Sequence, residues 1–259
     1  VIDFVTQHLH AIWPFILVGF VAQLVDGALG MAFGVITSTL LVSVLGMPPA
    51  RASSTVHIVE VFTTAASAIS HALHRNVNWR LFATLVIPGM IGGITGAYLL
   101  SNIHAEVARP FVMGYLACIG LYLLWRAWRM AKGQIHRSAR FAGPLGLVGG
   151  FLDAVGGGGW GPVVTSNLLV QGTDPRMTIG TVNTAEFFLT TVISAVFIVN
   201  LGWEAFTLAT LGLIAGGLLA APFGAILAKR VPARQLLFLV GTVLTLTSLF
   251  SLSKALGLV

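Results

Sequence analysis

Two apolar stretches constrain this chain more than any other feature, because each is too long for one membrane crossing and each is broken by an aspartate followed by glycines. Ala11–Leu45 is apolar for 35 residues apart from Asp26-Gly27-Ala28-Leu29-Gly30 and then Gly34. Phe141–Val170 is interrupted by Asp153, the run Gly156 to Gly159, and Trp160-Gly161-Pro162. A straight helix of 35 residues would be ~52 Å long, against a hydrocarbon core of about 30 Å. Each stretch therefore reads as two half-helices joined at a glycine break. Thr55–Leu73, Leu81–Leu100, Val107–Trp125, Thr178–Leu201, Phe206–Ala228 and Leu236–Leu252 read as spanning helices, each near the ~20 residues a crossing takes. Only 8% of residues are charged, where a soluble domain has about 25%. That composition excludes an ordinary cytosolic enzyme, a disordered chain and a nucleic-acid binder, and it makes the lipid bilayer the first partner. Val1–His10 has no basic residue and does not read as a signal peptide.

The two broken stretches align with each other. Asp26, Gly30 and Gly34 fall on Asp153, Gly157 and Gly161 at an offset of 127, and Pro49, Thr55, Val56, Glu60 and Phe62 fall on Pro175, Thr181, Val182, Glu186 and Phe188 at 126. Trp79, Phe82, Gly92 and Gly93 fall on Trp203, Phe206, Gly216 and Gly217 at 124. Paired Asp, Glu and Trp in one order is a stronger signal than apolar identity, so the chain reads as two copies of one unit. Basic residues indicate their relative orientation. If each broken stretch dips in and returns, 11 of the 14 basic residues share one side, and only Arg51, Arg109 and Lys254 lie on the other. If each broken stretch crosses fully, the division is 8 against 6. The positive-inside rule favours the first arrangement. The expected fold is an all-α polytopic membrane protein of two inverted repeats, each a glycine-broken re-entrant helix pair plus three transmembrane helices. Residues 1–128 form the first repeat, 129–140 a basic cytoplasmic linker and 141–259 the second, with both termini outside.

Discontinuous helices in inverted repeats are a recurring plan of secondary transporters. The unpaired N–H groups of a half-helix N-terminus favour an anion, so Gly30, Gly34, Gly157, Gly158 and Gly161 are candidates to line a substrate site. Close helix packing is the competing reading of each. Asp26 and Asp153 precede the breaks. Because an anionic carboxylate repels an anionic substrate, capping of the following turn is favoured over a proton or cation site. Glu60 and Glu186 lie well inside their helices, where an ionisable group is expensive. They are candidates to carry a coupled proton, or else neutral carboxyls holding helices together. His57 lies on the same face as Glu60, and its counterpart is Asn183; both are candidates for the site. Thr37, Ser38 and Thr39 follow the first break and Thr165, Ser166 and Asn167 the second, as candidate ligands for oxyanion oxygens or as side chains bonding back to their own helices.

The glycine-rich break after an Asp, the polar second helix with its Glu and the duplicated unit resemble the TauE/SafE sulfite-exporter family, also called the 4-toluene sulfonate uptake permease group. The most specific part is Gly150-Phe151-Leu152-Asp153 through Gly161-Pro162, followed by Gly180-Thr181. The first repeat departs from it, with Ala28-Leu29 and Met31-Ala32-Phe33 where the second copy is richer in glycine. The resemblance covers nearly the whole chain and implies transport of sulfite, sulfonates or related small anions.

Nothing in the sequence points to an enzyme: there is no HExxH, no nucleophile elbow and one cysteine, Cys118, which leaves no disulfide or thiolate metal cluster. No cofactor and no metal are expected. The sequence reads as a secondary transporter of small sulfur-containing anions working by alternating access with possible proton coupling. A channel or uniporter of the same architecture is the alternative.

Overall fold

The computed structural model describes residues 2–29, 31–129, 139–202 and 208–258. Gly30, the linker stretch 130–138, Trp203 and Phe206 fall outside the described residues. Everything described is helix or short connection: α1 (Ile2–Leu29), α2 (Phe33–Thr39), α3 (Pro49–Leu73), α4 (Trp79–Asn102), α5 (Ala105–Arg129), α6 (Ala142–Gly156), α7 (Ser166–Val170), α8 (Pro175–Leu201), α9 (Leu208–Arg230) and α10 (Ala233–Ala255). Two π-helical turns complete the set, Leu40–Val44 after α2 and Trp160–Thr165 before α7. Five helices (α3, α4, α5, α8 and α10) are long and apolar enough to cross a membrane, and α9 adds 23 residues.

Local sequence accounts for the boundaries. Pro49 and Pro175 sit in the first turns of α3 and α8, where the missing N–H has no helical partner to lose. The Asp174 carboxylate accepts the Met177 N–H (2.8 Å) and the Asn78 carbonyl accepts the Leu81 N–H (3.1 Å), capping α8 and α4. Arg109 of α5 donates to the carbonyls of Val42, Gly46 and Met47, which closes the C-terminal end of the first broken stretch.

Both long stretches break at the expected places. In the second, α6 has 15 residues, and 11 follow from Trp160 to Val170. Each limb is shorter than the ~20 residues of a span. The first is less even. Its second limb is short, Phe33 to Val44, but α1 runs for 28 residues, about 42 Å. The apolar residues upstream of Ala11, including Ile2, Phe4, Val5 and Leu9, lengthen it beyond a half-helix.

The helix pairing is two-fold in pattern. α1 lies on α9 and α6 on α4, while α3 meets α8 and α5 meets α10 across the molecule. Exchanging the halves leaves this pattern unchanged. The crossings of α4 on α6 and of α9 on α1 depend on the absence of a side chain at paired positions. A Cβ on Gly92 would fall 2.0 Å from the Leu147 carbonyl oxygen, and one on Gly216 would fall 2.0 Å from that of Ile16. The interior is unusually polar: Thr37, Ser38, His57, Glu60, Asp153, Thr165 and Ser166 are all buried, while Trp13, Phe111, Trp128 and Val199 face outward. Apolar outside and polar inside is the arrangement of a bundle solvated by lipid.

Candidate functional site

The second break is built around Asp153, one turn from the end of α6. Gly157 (φ 65°) and Gly158 (φ 145°) turn the chain through conformations that L side chains rarely adopt. The Asp153 carbonyl accepts the Gly158 N–H (3.0 Å). Its carboxylate reaches around the corner, where Oδ1 accepts the N–H groups of Gly159 (2.7 Å) and Trp160 (2.9 Å). Trp160 is fully buried, and its indole N–H donates to the Val182 carbonyl on α8 (3.1 Å). The first break repeats the motif in reduced form, with Asp26 Oδ1 accepting the N–H of Phe33 (3.1 Å). Phe33 and Trp160 are related by the same offset of 127 as the two aspartates. Both carboxylates therefore occupy the leading amides of the second limbs, which sequence reasoning leaves open for an anion.

The breaks press on each other. A Cβ on Gly158 would lie 2.3 Å from the Gly34 carbonyl carbon and the Val35 nitrogen, and one on Gly34 would lie 2.7 Å from the Gly158 Cα. Ser38 donates to the Gly157 carbonyl. Beside this contact is a narrow cleft of ≈ 10 Å³ lined by Asp26, Glu60, Asp153 and Glu186, with Gly34, Gly158, Gly159, Gly161, Pro162 and residues 31–33 and 35. Four carboxyl side chains, two from each half, thus share one small space. They are unequally placed: Asp153 is 1% and Glu60 5% exposed, whereas Asp26 and Glu186 are half-buried. Glu60 Oε2 is buried with no hydrogen-bond partner among the described residues. No three His, Cys, Asp or Glu side chains converge closely enough to hold a metal ion, among the described residues.

Of the residues singled out in the sequence, Gly34, Gly158, Gly161, both aspartates and both glutamates line the cleft. The others surround it. Ser38 and Gly157 bind each other. Thr37 and Thr165 are buried with hydroxyl oxygens that have no partner among the described residues. Ser166 accepts from Arg126 and donates to the Met31 sulfur. Asn183 donates to Ser67 (3.0 Å). His57 stands behind the cleft wall, fully buried, with Nε2 3.1 Å from Asp153 Oδ2.

Two contributors were not read from the sequence. Tyr115 of α5 donates to the Gly158 carbonyl (3.3 Å). Arg126 of the same helix reaches Met31 beside the first break and Ser166 beyond the second. Neither belongs to a motif. Arg126 stands out only as a cation at the edge of an apolar run.

The model of the family described as "Sulfite exporter TauE/SafE" matches residues 15–251. A Bacillus subtilis (strain 168) protein named "Probable membrane transporter protein YtnM" is 43% identical over 234 residues, covering 88% of this chain and 78% of its own. No solved structure matches the chain.

Proposed function

Since the chain belongs to the sulfite exporter TauE/SafE family, and so is a multi-pass membrane transporter of small molecules, located in the cell membrane, we propose that it carries small sulfur-containing anions by alternating access around the four-carboxyl cleft, with protons on Glu60 and Glu186. One observation carries the reading. Glu60 is buried against the second break without a partner for Oε2, in a space shared with three other carboxyls. Four ionised carboxylates would repel one another and any oxyanion. Asp26 and Asp153 accept backbone N–H groups. Among the described residues neither glutamate accepts a backbone N–H, so protonating them removes the charge that bars an anion. Substrate entry and proton loading are then one event, which is the linkage a coupled transporter needs.

In this scheme Gly34, Gly158 and Gly161 form the wall the substrate meets when the breaks part, and Thr37, Ser38, Thr165 and Ser166 supply hydroxyls on either side. The breaks are in contact and the cleft is narrow, so the structure corresponds in this scheme to a closed state. Alternating access exchanges the roles of the two halves, an inverted pair of repeats being the plan that makes such an exchange possible. In a Cys118→Ser background, Asn102→Cys is expected to react with an impermeant thiol reagent from outside, and Gln134→Cys only after permeabilisation.

The test of function is proteoliposome flux of radiolabelled sulfite, with taurine, thiosulfate and toluenesulfonate as competitors. Accumulation above the equilibrium level driven by a pH gradient is expected. Strictly downhill flux under every gradient would contradict the coupled reading and leave a channel or uniporter.

A further inference from the structure

We infer that His57 and Asp153 together hold one proton at the junction of the two halves, and that this proton keeps the second helix break closed. The inference rests on the transport reading only for its purpose; the proton itself follows from hydrogen-bond complementarity. His57 Nδ1 lies 2.7 Å from the Ser53 carbonyl oxygen, which can only accept. Its other neighbour is the Ser53 hydroxyl at 3.3 Å, whose own hydrogen is directed to the Ala154 carbonyl (2.6 Å). Both surroundings of Nδ1 are acceptors, so Nδ1 bears hydrogen. Nε2 lies 3.1 Å from Asp153 Oδ2. A neutral imidazole with Nδ1–H would point a lone pair at an ionised carboxylate, with both groups buried. The contact requires a proton between Nε2 and Oδ2, either as imidazolium with carboxylate or as imidazole with carboxylic acid. In both forms the pair is neutral overall and binds one proton more than neutral His with ionised Asp.

The location gives that proton its consequence. His57 belongs to α3 of the first half, and Asp153 belongs to α6 of the second, 96 residues away. The same Asp153 side chain holds the Gly159 and Trp160 amides through Oδ1. Losing the proton places a lone pair against a negative oxygen in a buried site, and separation of the two groups relieves it. Separation draws Asp153 from α3 together with the turn whose leading amides it holds, opening that turn to water. The other ionisable groups facing the pair sharpen this. Glu60 on α3, Asp26 on α1 and Glu186 on α8 are carboxyls around the same cleft, and Tyr115 on α5 lies against the break. Phe197 of α8 covers the imidazole (6.2 Å between ring centroids). No cation among these groups offsets the charge left when the proton departs. The equivalent of His57 in the second half is Asn183, which bonds Ser67, so this device is present in one half only.

The test is amide hydrogen exchange of the segment containing Gly159 and Trp160, on the full chain in detergent between pH 5.5 and 9, corrected for intrinsic exchange. No gradient or substrate is used, so a chain that proves uncoupled in flux assays can still show the effect. Protection of the wild type is expected to fall about tenfold or more in one step as pH rises, since one unit of differential proton affinity is worth a factor of ten. His57→Gln offers a non-titrating N–H to Asp153. Asp153→Asn keeps an acceptor for the two amides and offers an N–H to neutral Nε2. Both variants are expected to lose the step, and either one suffices if the other does not fold. Flat wild-type protection, or a step surviving in a folded variant, overturns the inference.

Discussion

The two helix breaks share a sequence pattern, an Asp followed by glycines at an offset of 127, yet are held differently. The second is tied on every side: Asp153 takes two amides and faces His57, Ser38 and Tyr115 reach the Gly157 and Gly158 carbonyls, and Trp160 is pinned to α8. The first has a half-buried Asp26 taking the Phe33 amide and sulfur contacts at Met31. The backbone differs as well. Ala32 stands at φ 133°, where an L residue is strained, while Gly159, its counterpart at the offset of 127, is extended at −173°. Among the described residues, the second break is therefore the more heavily bonded of the two.

The largest effect is expected where the second break cannot accept a side chain. Gly158→Ala combines positive φ with a collision against the backbone of Gly34 and Val35, and costs about 5 kcal/mol from strain and overpacking together. Its counterpart Met31 already carries a side chain, and Met31→Ala is expected to cost about 2 kcal/mol. Apparent Tm in detergent checks both, and equal shifts would dissolve the distinction. Next in size are the aspartates. Asp153→Ala strands two amides and a buried imidazole, about 3–4 kcal/mol, whereas Asp26→Ala loses a single cap, about 1 kcal/mol. The order of the two melting temperatures is the measurement. Ser38→Ala removes one bond between the halves, about 1 kcal/mol, and should loosen the second break more than the first in amide exchange. The smallest effect has the opposite sign. Ala32→Gly relieves strain in the first break and should raise the apparent Tm slightly, by the equivalent of about 1 kcal/mol.

Much of this was legible in the sequence because it depends on local pattern. The break positions follow from Asp and Gly within apolar runs, and the membrane setting from 8% charged residues. Asp26, Glu60, Asp153 and Glu186, the acids paired by the sequence offsets, line one cleft. What was not legible depends on which side chains meet across the halves. No spacing rule connects His57 to Asp153, Arg126 to Ser166 or Tyr115 to Gly158, since packing between distant helices brings each pair together. The length of α1 has a different cause: the helix begins at Ile2, upstream of the apolar stretch that starts at Ala11. The interaction of the aspartates with the leading amides was foreseen as capping, but its consequence for an anion was not. On the proposed reading, with those amides taken, the charge state of the glutamates decides whether an anion can enter.

That variable can be measured directly by comparing pH-gradient-driven sulfite accumulation in proteoliposomes of the wild type, Glu60→Gln, Glu186→Gln and the double variant. Glutamine keeps the shape and the neutral state but cannot release a proton. Uphill accumulation is expected to fall about tenfold or more in each single variant and to vanish in the double variant, while downhill flux or exchange persists with a flattened pH dependence. Accumulation at the wild-type level in all three would contradict proton coupling through these carboxyls.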